Sequence, residues 1–177
     1  MVKWLGMWAS TMTTFIALIN PKSPANVGSV MRAVGCFQAD AVFYTGQRYA
    51  RAAKFNTDTK KMSRHIPLTA IDNVLAAKAK NMKVVCIDLV EGAIPLPNYQ
   101  HPENALYIFG PEDGSIEQDV IDQADDVVYI PTIGCMNLAA SANVVLYDRL
   151  CKQGNIVLDN SLIKKSRDTN NKTKVKV

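Results

Sequence analysis

The feature that most constrains the fold is a regular alternation of short apolar runs with segments of helical character. The apolar runs occupy residues 15–19, 41–44, 83–89, 105–109 and 127–130. A run that is apolar at consecutive positions is typical of a strand buried on both faces, and a helix between two such strands allows them to run parallel. The alternation therefore predicts an α/β fold in which a mostly parallel sheet carries helices on both faces.

The segments between these runs carry helix signals. Asn26 is predicted to cap a helix that ends near Gly35, and residues 69–72 are predicted to begin one that extends to residue 79. A short acidic helix is predicted over residues 116–121 and a long helix over residues 137–152. Ligands of parallel sheets collect at the carboxyl ends of the strands, so the turns after the last two strands are the first candidates for a pocket.

Length and composition indicate one globular domain. The chain has 177 residues, of which 48% are hydrophobic and 20% charged, and this argues against disorder, collagen-like repeats and a coiled coil. We predict an N-terminal extension over residues 1–13, a globular domain over residues 14–155 and a basic, flexible tail over residues 156–177. No apolar run has the length of a membrane span or of a signal-peptide core, so we expect a cytoplasmic protein with no membrane partner.

The net charge of +4 is unevenly distributed. Residues 48–64 and residues 161–177 each carry six basic side chains and one acidic one, so each segment has a charge of +5. Such patches attract nucleic acid through phosphate contacts, and Tyr49 and Phe55 in the first segment add rings that stack on unpaired bases. For the second segment, solvated surface lysines are an equally good interpretation. The candidate RNA contacts are Arg48, Arg51, Lys54, Lys60, Lys61 and Arg64.

Several common sites are excluded by the sequence. It contains no G-x-x-x-x-G-K-[ST] phosphate loop, no G-x-G-x-x-G after the first strand and no G-x-S-x-G nucleophile turn. With two histidines and no C-x-x-C pair, we expect no metal. Three of the four cysteines, Cys36, Cys86 and Cys135, stand among apolar residues and are predicted to be buried free thiols.

Three motifs remain. The first, N-P-x-x-x-x-N-x-G-x-x-x-R, extends from Asn20 to Arg32, and the second, F-G-x-E-x-G, from Phe109 to Gly114. The third begins with I-P at residues 130–131 and continues through M-N-L and V-V-L-Y-D to residue 148. In this order and spacing they resemble the motifs of the TrmH/SpoU branch of the SPOUT RNA methyltransferases. The resemblance covers about residues 14–152.

The resemblance implies a fold, a cofactor and an assembly. The fold is α/β with a trefoil knot in its C-terminal third, and the knot binds S-adenosyl-L-methionine. The protein is a homodimer with its sites at the subunit interface, and its substrate is tRNA or rRNA, methylated at a ribose 2′-hydroxyl. Matching positions give the cofactor-binding residues Phe109, Gly110, Gly114, Ile130, Ile133, Gly134, Asn137 and Leu138.

The same resemblance implies the catalytic residues Arg32, Asn26 and Glu112. In the family the arginine acts at the 2′-hydroxyl and comes from the other subunit. A guanidinium does not ordinarily accept a proton, so we favour Arg32 as an anchor for the adjacent phosphate and a stabiliser of the developing oxyanion. The alternative is that Arg32 is the general base, assisted by the phosphate.

The third motif departs from the family at two positions. Ala139 stands where many members have a serine two positions after the asparagine, and Cys135 replaces another common serine. The missing hydroxyl motivates a second hypothesis, an RNA-binding or ribosome-associated SPOUT-fold protein with little or no activity. A third, a small-molecule α/β enzyme, has no nucleophile, metal set or nucleotide loop to support it.

Overall fold

The computed structural model describes residues 12–53, 66–154 and 158–176. Within these residues, seven strands form one sheet, and every neighbouring pair is parallel. In chain order they are β1 (Thr14–Leu18), β2 (Ala41–Tyr44), β3 (Leu68–Ala70), β4 (Lys83–Ile87), β5 (Ile94–Pro95), β6 (Ala105–Phe109) and β7 (Asp126–Tyr129). Their order across the sheet is β3-β2-β1-β6-β4-β7-β5, which places β6 in the middle. The prediction of an α/β fold with a mostly parallel sheet is confirmed.

The described residues also form five α-helices. They are α1 (Pro24–Phe37), α2 (Arg48–Ala53), α3 (Gln118–Ile121), α4 (Leu138–Gln153) and α5 (Asn160–Ser166). Helices α1 and α4 pack against each other and cover one face of the sheet. Two short 3-10 turns, Val74–Ala77 and Leu96–Asn98, complete the regular structure of this part of the chain.

The core lies on both faces of the sheet, and β6 illustrates it. Tyr107 and Phe109 belong to the cluster beneath α1 and α4, whereas Leu106 and Ile108 belong to the cluster on the opposite face. All four side chains are at most 2% exposed. Because successive side chains of a strand point to opposite faces, a strand covered on both sides is apolar at every position.

The parallel arrangement brings four loops to one edge of the sheet. Phe109, the last residue of β6, is aligned with Leu18 at the end of β1 and with Ile87 at the end of β4. Ile87 is in turn aligned with Val128 near the end of β7. The segments that follow these strands therefore emerge side by side at the carboxyl edge.

The two long helices begin at different kinds of cap. Helix α1 is capped by Ser23, whose Oγ accepts from the Asn26 amide, so the prediction that Asn26 is the cap is wrong. This leaves the Asn26 side chain available for other partners. Helix α4 begins after Asn137, as predicted, with the Asn137 side-chain oxygen accepting from the Ala139 and Ala140 amides.

The helix predicted from residues 69–72 is also wrong. Leu68–Ala70 is an edge strand paired with β2, and the Ile71 amide donates to the Tyr44 carbonyl at 2.9 Å. Only Val74–Ala77 turns, as a 3-10 helix capped by Asn73. Pairing with β2 outweighs the local helix signal at this edge, since strand formation depends on context more than helix formation does.

Three further predictions concern the tail, the cysteines and the extension. Helix α5, capped by Asp159, lies in the segment predicted to be a flexible tail. Cys86 is buried as expected, but Cys36 and Cys135 are exposed: Cys36 lies outside the buried stripe of α1, and Cys135 lies in the connection between β7 and α4. Residues 1–11 of the predicted extension lie outside the described residues. None of the described helices combines the length and the apolar character that crossing a bilayer requires.

Candidate functional site

A cavity of about 410 Å³ opens at the carboxyl edge of the sheet. Its walls come from residues 87–89 at the end of β4, from residues 109–115 at the end of β6, and from the connection between β7 and α4. That connection contributes Ile130, Thr132, Cys135 and Met136, and the first turn of α4 adds Leu138 and Ser141. The volume lies within the range of small-molecule sites, about 300–1,000 Å³. The cavity is where the parallel sheet predicts a ligand.

Five of the eight predicted cofactor residues line this cavity: Phe109, Gly110, Gly114, Ile130 and Leu138. The other three lie outside its lining. The Ile133 side chain is fully exposed, and Gly134 has a φ of +104°, a left-handed conformation that suits glycine in the tight turn closed by Thr132. Asn137 is engaged at the helix cap and with Asn26.

One wall of the cavity was not predicted from the sequence. Ile87 ends β4 and residues 88–89 follow it, and the Oδ2 of Asp88 accepts a hydrogen bond from the Ile116 amide at 2.8 Å. That bond fastens the loop after β6 to the end of β4. The strand-end rule points to this edge of the sheet, but the strand predicted over residues 83–89 ends at Ile87, so the prediction placed Asp88 inside the strand.

Glu112 joins the second motif to the first. Its Oε2 accepts from the Lys22 amide at 2.8 Å, and its Oε1 accepts from the Ser23 amide at 3.0 Å and from Asn26 Nδ2 at 3.1 Å. Partial burial works to raise the pKa of Glu112, but these three hydrogen bonds outweigh it, so the pKa lies below its ordinary value. An ionised carboxylate with three donors is suited to holding the two loops together.

Asn26 extends this network to the third motif. Its Oδ1 accepts from Asn137 Nδ2 at 3.0 Å, while its Nδ2 donates to Glu112. The carboxylate of Glu112 only accepts, which fixes the orientation of the Asn26 amide and, through it, that of Asn137. The Glu112–Asn26–Asn137 network therefore links all three motifs, and Glu112 itself also lines the cavity.

Arg32 is placed differently from the other two predicted catalytic residues. It lies on α1 but outside the buried stripe of Val27, Val30 and Val34, and its side chain is exposed. Within the described residues it makes no hydrogen bond or ion pair, and it does not line the cavity of its own chain.

The predicted RNA contacts are described only in part. Arg48 forms a two-point ion pair with Asp113, each nitrogen–oxygen distance being 2.8 Å, and Arg51 donates to Gln47 at 2.7 Å. Lys54, Lys60, Lys61 and Arg64 lie outside the described residues. Tyr49 meets Tyr44 edge to face, with ring centroids 5.0 Å apart. Among the described side chains, no group of three or more is arranged to hold a metal ion.

The sequence of this chain is similar to those of known RNA methyltransferases. The model of the SpoU rRNA methylase family matches residues 13–147. The 23S rRNA (guanosine-2'-O-)-methyltransferase RlmB from Acinetobacter baylyi is 28% identical over 147 residues, which cover 78% of this chain and 59% of that protein. The chain thus spans less than two thirds of the length of this curated relative.

Solved structures show the same fold. The SpoU methyltransferase AviRb from Streptomyces viridochromogenes, in complex with the cofactor AdoMet, has a TM-score of 0.66 at 18% identity, covering 83% of this chain and 60% of that one. A structure that concerns 2-OH methylation of C/U34 on tRNA has a TM-score of 0.68 at 20% identity, covering 80% and 91%. At these identities the likeness establishes the fold alone.

Proposed function

Since the chain belongs to the SpoU rRNA methylase family, we propose that it is an S-adenosyl-L-methionine-dependent methyltransferase that acts on a ribose 2′-hydroxyl of tRNA or rRNA. The Glu112–Asn26–Asn137 network carries the proposal, because it assembles the three motifs beside one cavity. The names of two relatives support it: one is a 23S rRNA (guanosine-2'-O-)-methyltransferase, and the other holds AdoMet.

The cavity suits the proposed cofactor in its size and in its walls. Ile87, Phe109, Ile130 and Leu138 provide apolar surface for the adenine ring. The loops over residues 110–115 and 132–136 supply backbone N–H and C=O groups, and Gly110 and Gly114 let that backbone approach closely. When bound, S-adenosyl-L-methionine supplies an electrophilic methyl group. Asn137, which was predicted to bind the cofactor, is proposed to hold the motifs together through its hydrogen bond to Asn26.

Arg32 is proposed to act at the cavity of a second copy of the chain. The reacting hydroxyl has to be positioned in line with the methyl group and stabilised as it loses its proton. Arg32 binds the phosphate beside the target ribose and stabilises the developing oxyanion, since its guanidinium is a fixed donor. Its exposure and its position outside the cavity lining of its own chain support this arrangement.

The proposed assembly is a homodimer with the C-terminal trefoil knot of the family. The exposed face of α1 around Arg32 carries small residues, Gly28, Ser29 and Cys36, and so allows a helix of a second chain to approach closely. Tyr147 of α4 is 59% exposed and packs on Phe37 beside that face. We assign the knot to the C-terminal third of the chain, where the connection between β7 and α4 lines the cavity. We place the protein in the cytoplasm, where both RNA substrates occur.

The alternative function is an RNA-binding or ribosome-associated protein with little or no activity. The presence or absence of a hydroxyl in the third motif helps to decide between this alternative and an active enzyme. Ala139 is buried in the first turn of α4 and offers no hydroxyl, which favours that alternative. Ser141, two positions later, lines the cavity and offers one. The second observation is why we place an active enzyme first.

Two measurements test the proposal. Calorimetry with S-adenosylhomocysteine is expected to show saturable binding, and its absence would rule out the methyltransferase. Incubation with labelled S-adenosyl-L-methionine and bulk tRNA or rRNA is expected to label the RNA. A folded protein that binds the cofactor and the RNA but labels neither RNA pool would favour the inactive RNA-binding protein.

A further inference from the structure

We propose that Lys22 and Arg48 bind a backbone phosphate of the substrate RNA at the mouth of the cavity, and that Asp113 competes with this phosphate for both cations. We call these three residues the rim triad. The inference rests on the proposed function and deepens it, since it names a contact by which the RNA is held and a side chain that limits how tightly.

The geometry of the rim triad is that of an anion site already filled by a side chain. Arg48 meets the two oxygens of Asp113 with two parallel bonds of 2.8 Å, and Lys22 Nζ lies 3.8 Å from Asp113 Oδ2. A guanidinium fork fits a carboxylate and a phosphate in the same two-point manner. The hydrogen bond from Arg48 lowers the pKa of Asp113, so the carboxylate is charged at neutral pH.

The backbone fixes the rim triad where RNA has to enter. Asp113 lines the cavity and follows Glu112, whose carboxylate also holds the Lys22 amide at 2.8 Å. Arg48 is the first residue of α2 and so begins the basic segment over residues 48–64. Two cations and one anion give the rim triad itself a charge of +1, beside the ionised Glu112, whose carboxylate is held by its three hydrogen-bond donors.

Exchange of the carboxylate for a phosphate is easy because the triad is wet. The side chains of Lys22 and Asp113 are 66% and 51% exposed, and exposed ion pairs contribute little to stability. A phosphodiester carries one negative charge, as the carboxylate does. Once a phosphate occupies Arg48, however, Asp113 is left beside a second anion, so its charge opposes RNA binding. Asp113 thereby weakens the hold on any polyanion that the rest of the site does not recognise.

The test measures binding of the full chain to labelled unfractionated tRNA, without cofactor, over a series of NaCl concentrations. Asp113→Asn is expected to tighten binding by about 3- to 10-fold at low salt. Arg48→Ala is expected to weaken binding and to reduce the slope of log K against log salt by about 0.7–0.9, the loss of one phosphate contact. In the Arg48→Ala background most of the effect of Asp113→Asn is expected to disappear.

The matched control is Asp119→Asn, which makes the same change of charge. Asp119 is exposed, lies outside the cavity lining, and its side chain forms no hydrogen bond or ion pair within the described part of the chain. Lys22→Gln is a second probe, because it keeps the pair of Arg48 and Asp113 and is still expected to weaken binding severalfold. Melting curves establish that each variant is folded.

Two results would overturn the inference. Weaker binding by folded Asp113→Asn would mean that Asp113 only positions Arg48, and tightening no greater than that of Asp119→Asn would mean a general charge effect. If the protein methylates RNA, either result contradicts the phosphate site of the rim triad and leaves the proposed function standing. If Asp113→Asn binds RNA more tightly but the protein transfers no methyl group, the phosphate site is supported and the proposed function is contradicted.

Discussion

Asn26 is the residue that links the three motifs by hydrogen bonds. Its amide nitrogen needs an acceptor and its amide oxygen needs a donor, and Glu112 and Asn137 supply one each. The arrangement works only with an amide at this position, because a carboxylate has no donor and an apolar side chain has neither group. The network therefore requires an amide side chain at position 26, and neither a carboxylate nor an apolar residue can replace it.

Asn26→Asp is expected to lower kcat at least 100-fold and to raise the KM for the cofactor severalfold. The change places a second carboxylate about 3 Å from Glu112, where two like charges repel, and it removes the donor that helps keep Glu112 ionised. Steady-state methylation kinetics measure both effects. Asn98→Asp, the same substitution at an exposed position outside the cavity lining, is the control and is expected to keep normal kinetics. Normal kinetics for Asn26→Asp would contradict the role of the network.

At the residue scale, the sequence identified the members of this network but not their contacts. The motifs picked out Asn26, Glu112 and Asn137, yet Asn26 lies 86 residues from Glu112 and 111 from Asn137. Local patterns report caps and turns within about four residues, which is why Asn26 was interpreted as a helix cap. Only the three-dimensional path of the chain shows that its side chain points elsewhere.

At the scale of elements, α4 is fastened to the rest of the fold by a buried polar cluster. Arg149 donates to the carbonyls of Pro102 and Glu103 at 2.6 and 2.7 Å and to the Tyr107 hydroxyl at 3.1 Å. His101 lies between Tyr107 at 2.6 Å and Asp148 at 2.8 Å. Because Asp148 only accepts, and Tyr107 already accepts from Arg149, a neutral ring protonated at Nε2 satisfies every partner. The cluster ties the helix that borders the cavity to the connection before β6.

This cluster predicts a pH dependence of stability. Burial lowers the pKa of His101 from its ordinary value of 6.5, even though its hydrogen bond to Asp148 acts in the opposite direction. The unfolded chain therefore takes up a proton near pH 6.5 that the folded chain refuses. The contribution of neutral His101 to the free energy of unfolding is fully present above pH 6.5. As the pH falls toward the pKa of His101 in the folded chain, the free energy of unfolding decreases by up to about 1.4 kcal/mol per pH unit.

His101→Gln is expected to have a flatter dependence of the free energy of unfolding on pH between 7 and 5 than the unsubstituted chain. Urea denaturation at closely spaced pH values measures it. Above pH 7.5 the ring is neutral in both states, so the difference between the two proteins is expected to be constant there, and this range serves as the internal control. Curves that remain parallel down to pH 5 would contradict the assignment.

Elements with strong local signals could be predicted, and those that depend on a neighbour could not. The apolar runs that became β1, β4 and β6 are buried at almost every position, and those that became β2 and β7 are partly buried. Burial on both faces leaves a continuous apolar pattern in the sequence. Leu68–Ala70 lies at the sheet edge, where two of its three residues are exposed, so its pairing with β2 leaves no such pattern. The residues resembling a helix start there were a false signal.

At the scale of the whole molecule, the proposed site needs two chains. Arg32 lies outside the cavity lining of its own chain, whereas Asn26 and Glu112 hold that cavity together. Periodicity and composition give no sign of such a division, because a surface that binds a second copy looks like any other exposed helix face until its partner is known.

Coexpression of two inactive variants tests this division. Arg32→Ala is expected to lose turnover but keep its affinity for the cofactor, and Ser141→Trp is expected to lose cofactor binding because the indole fills the cavity. Random pairing makes half of the dimers mixed, each with one complete site, so about a quarter of the normal activity is expected. Homodimers of each variant are the controls. No recovered activity in proven mixed dimers would mean that Arg32 does not act across the interface.

The most direct test of the central claim is the chemical position of the transferred methyl group. RNA labelled with methyl-tritiated S-adenosyl-L-methionine is hydrolysed in alkali, which cleaves only next to a free 2′-hydroxyl. Methylation of the ribose 2′-oxygen predicts label in alkali-stable dinucleotides, and this label is expected to vanish with Arg32→Ala. Label found in mononucleotides would place the methyl group on a base and contradict the account.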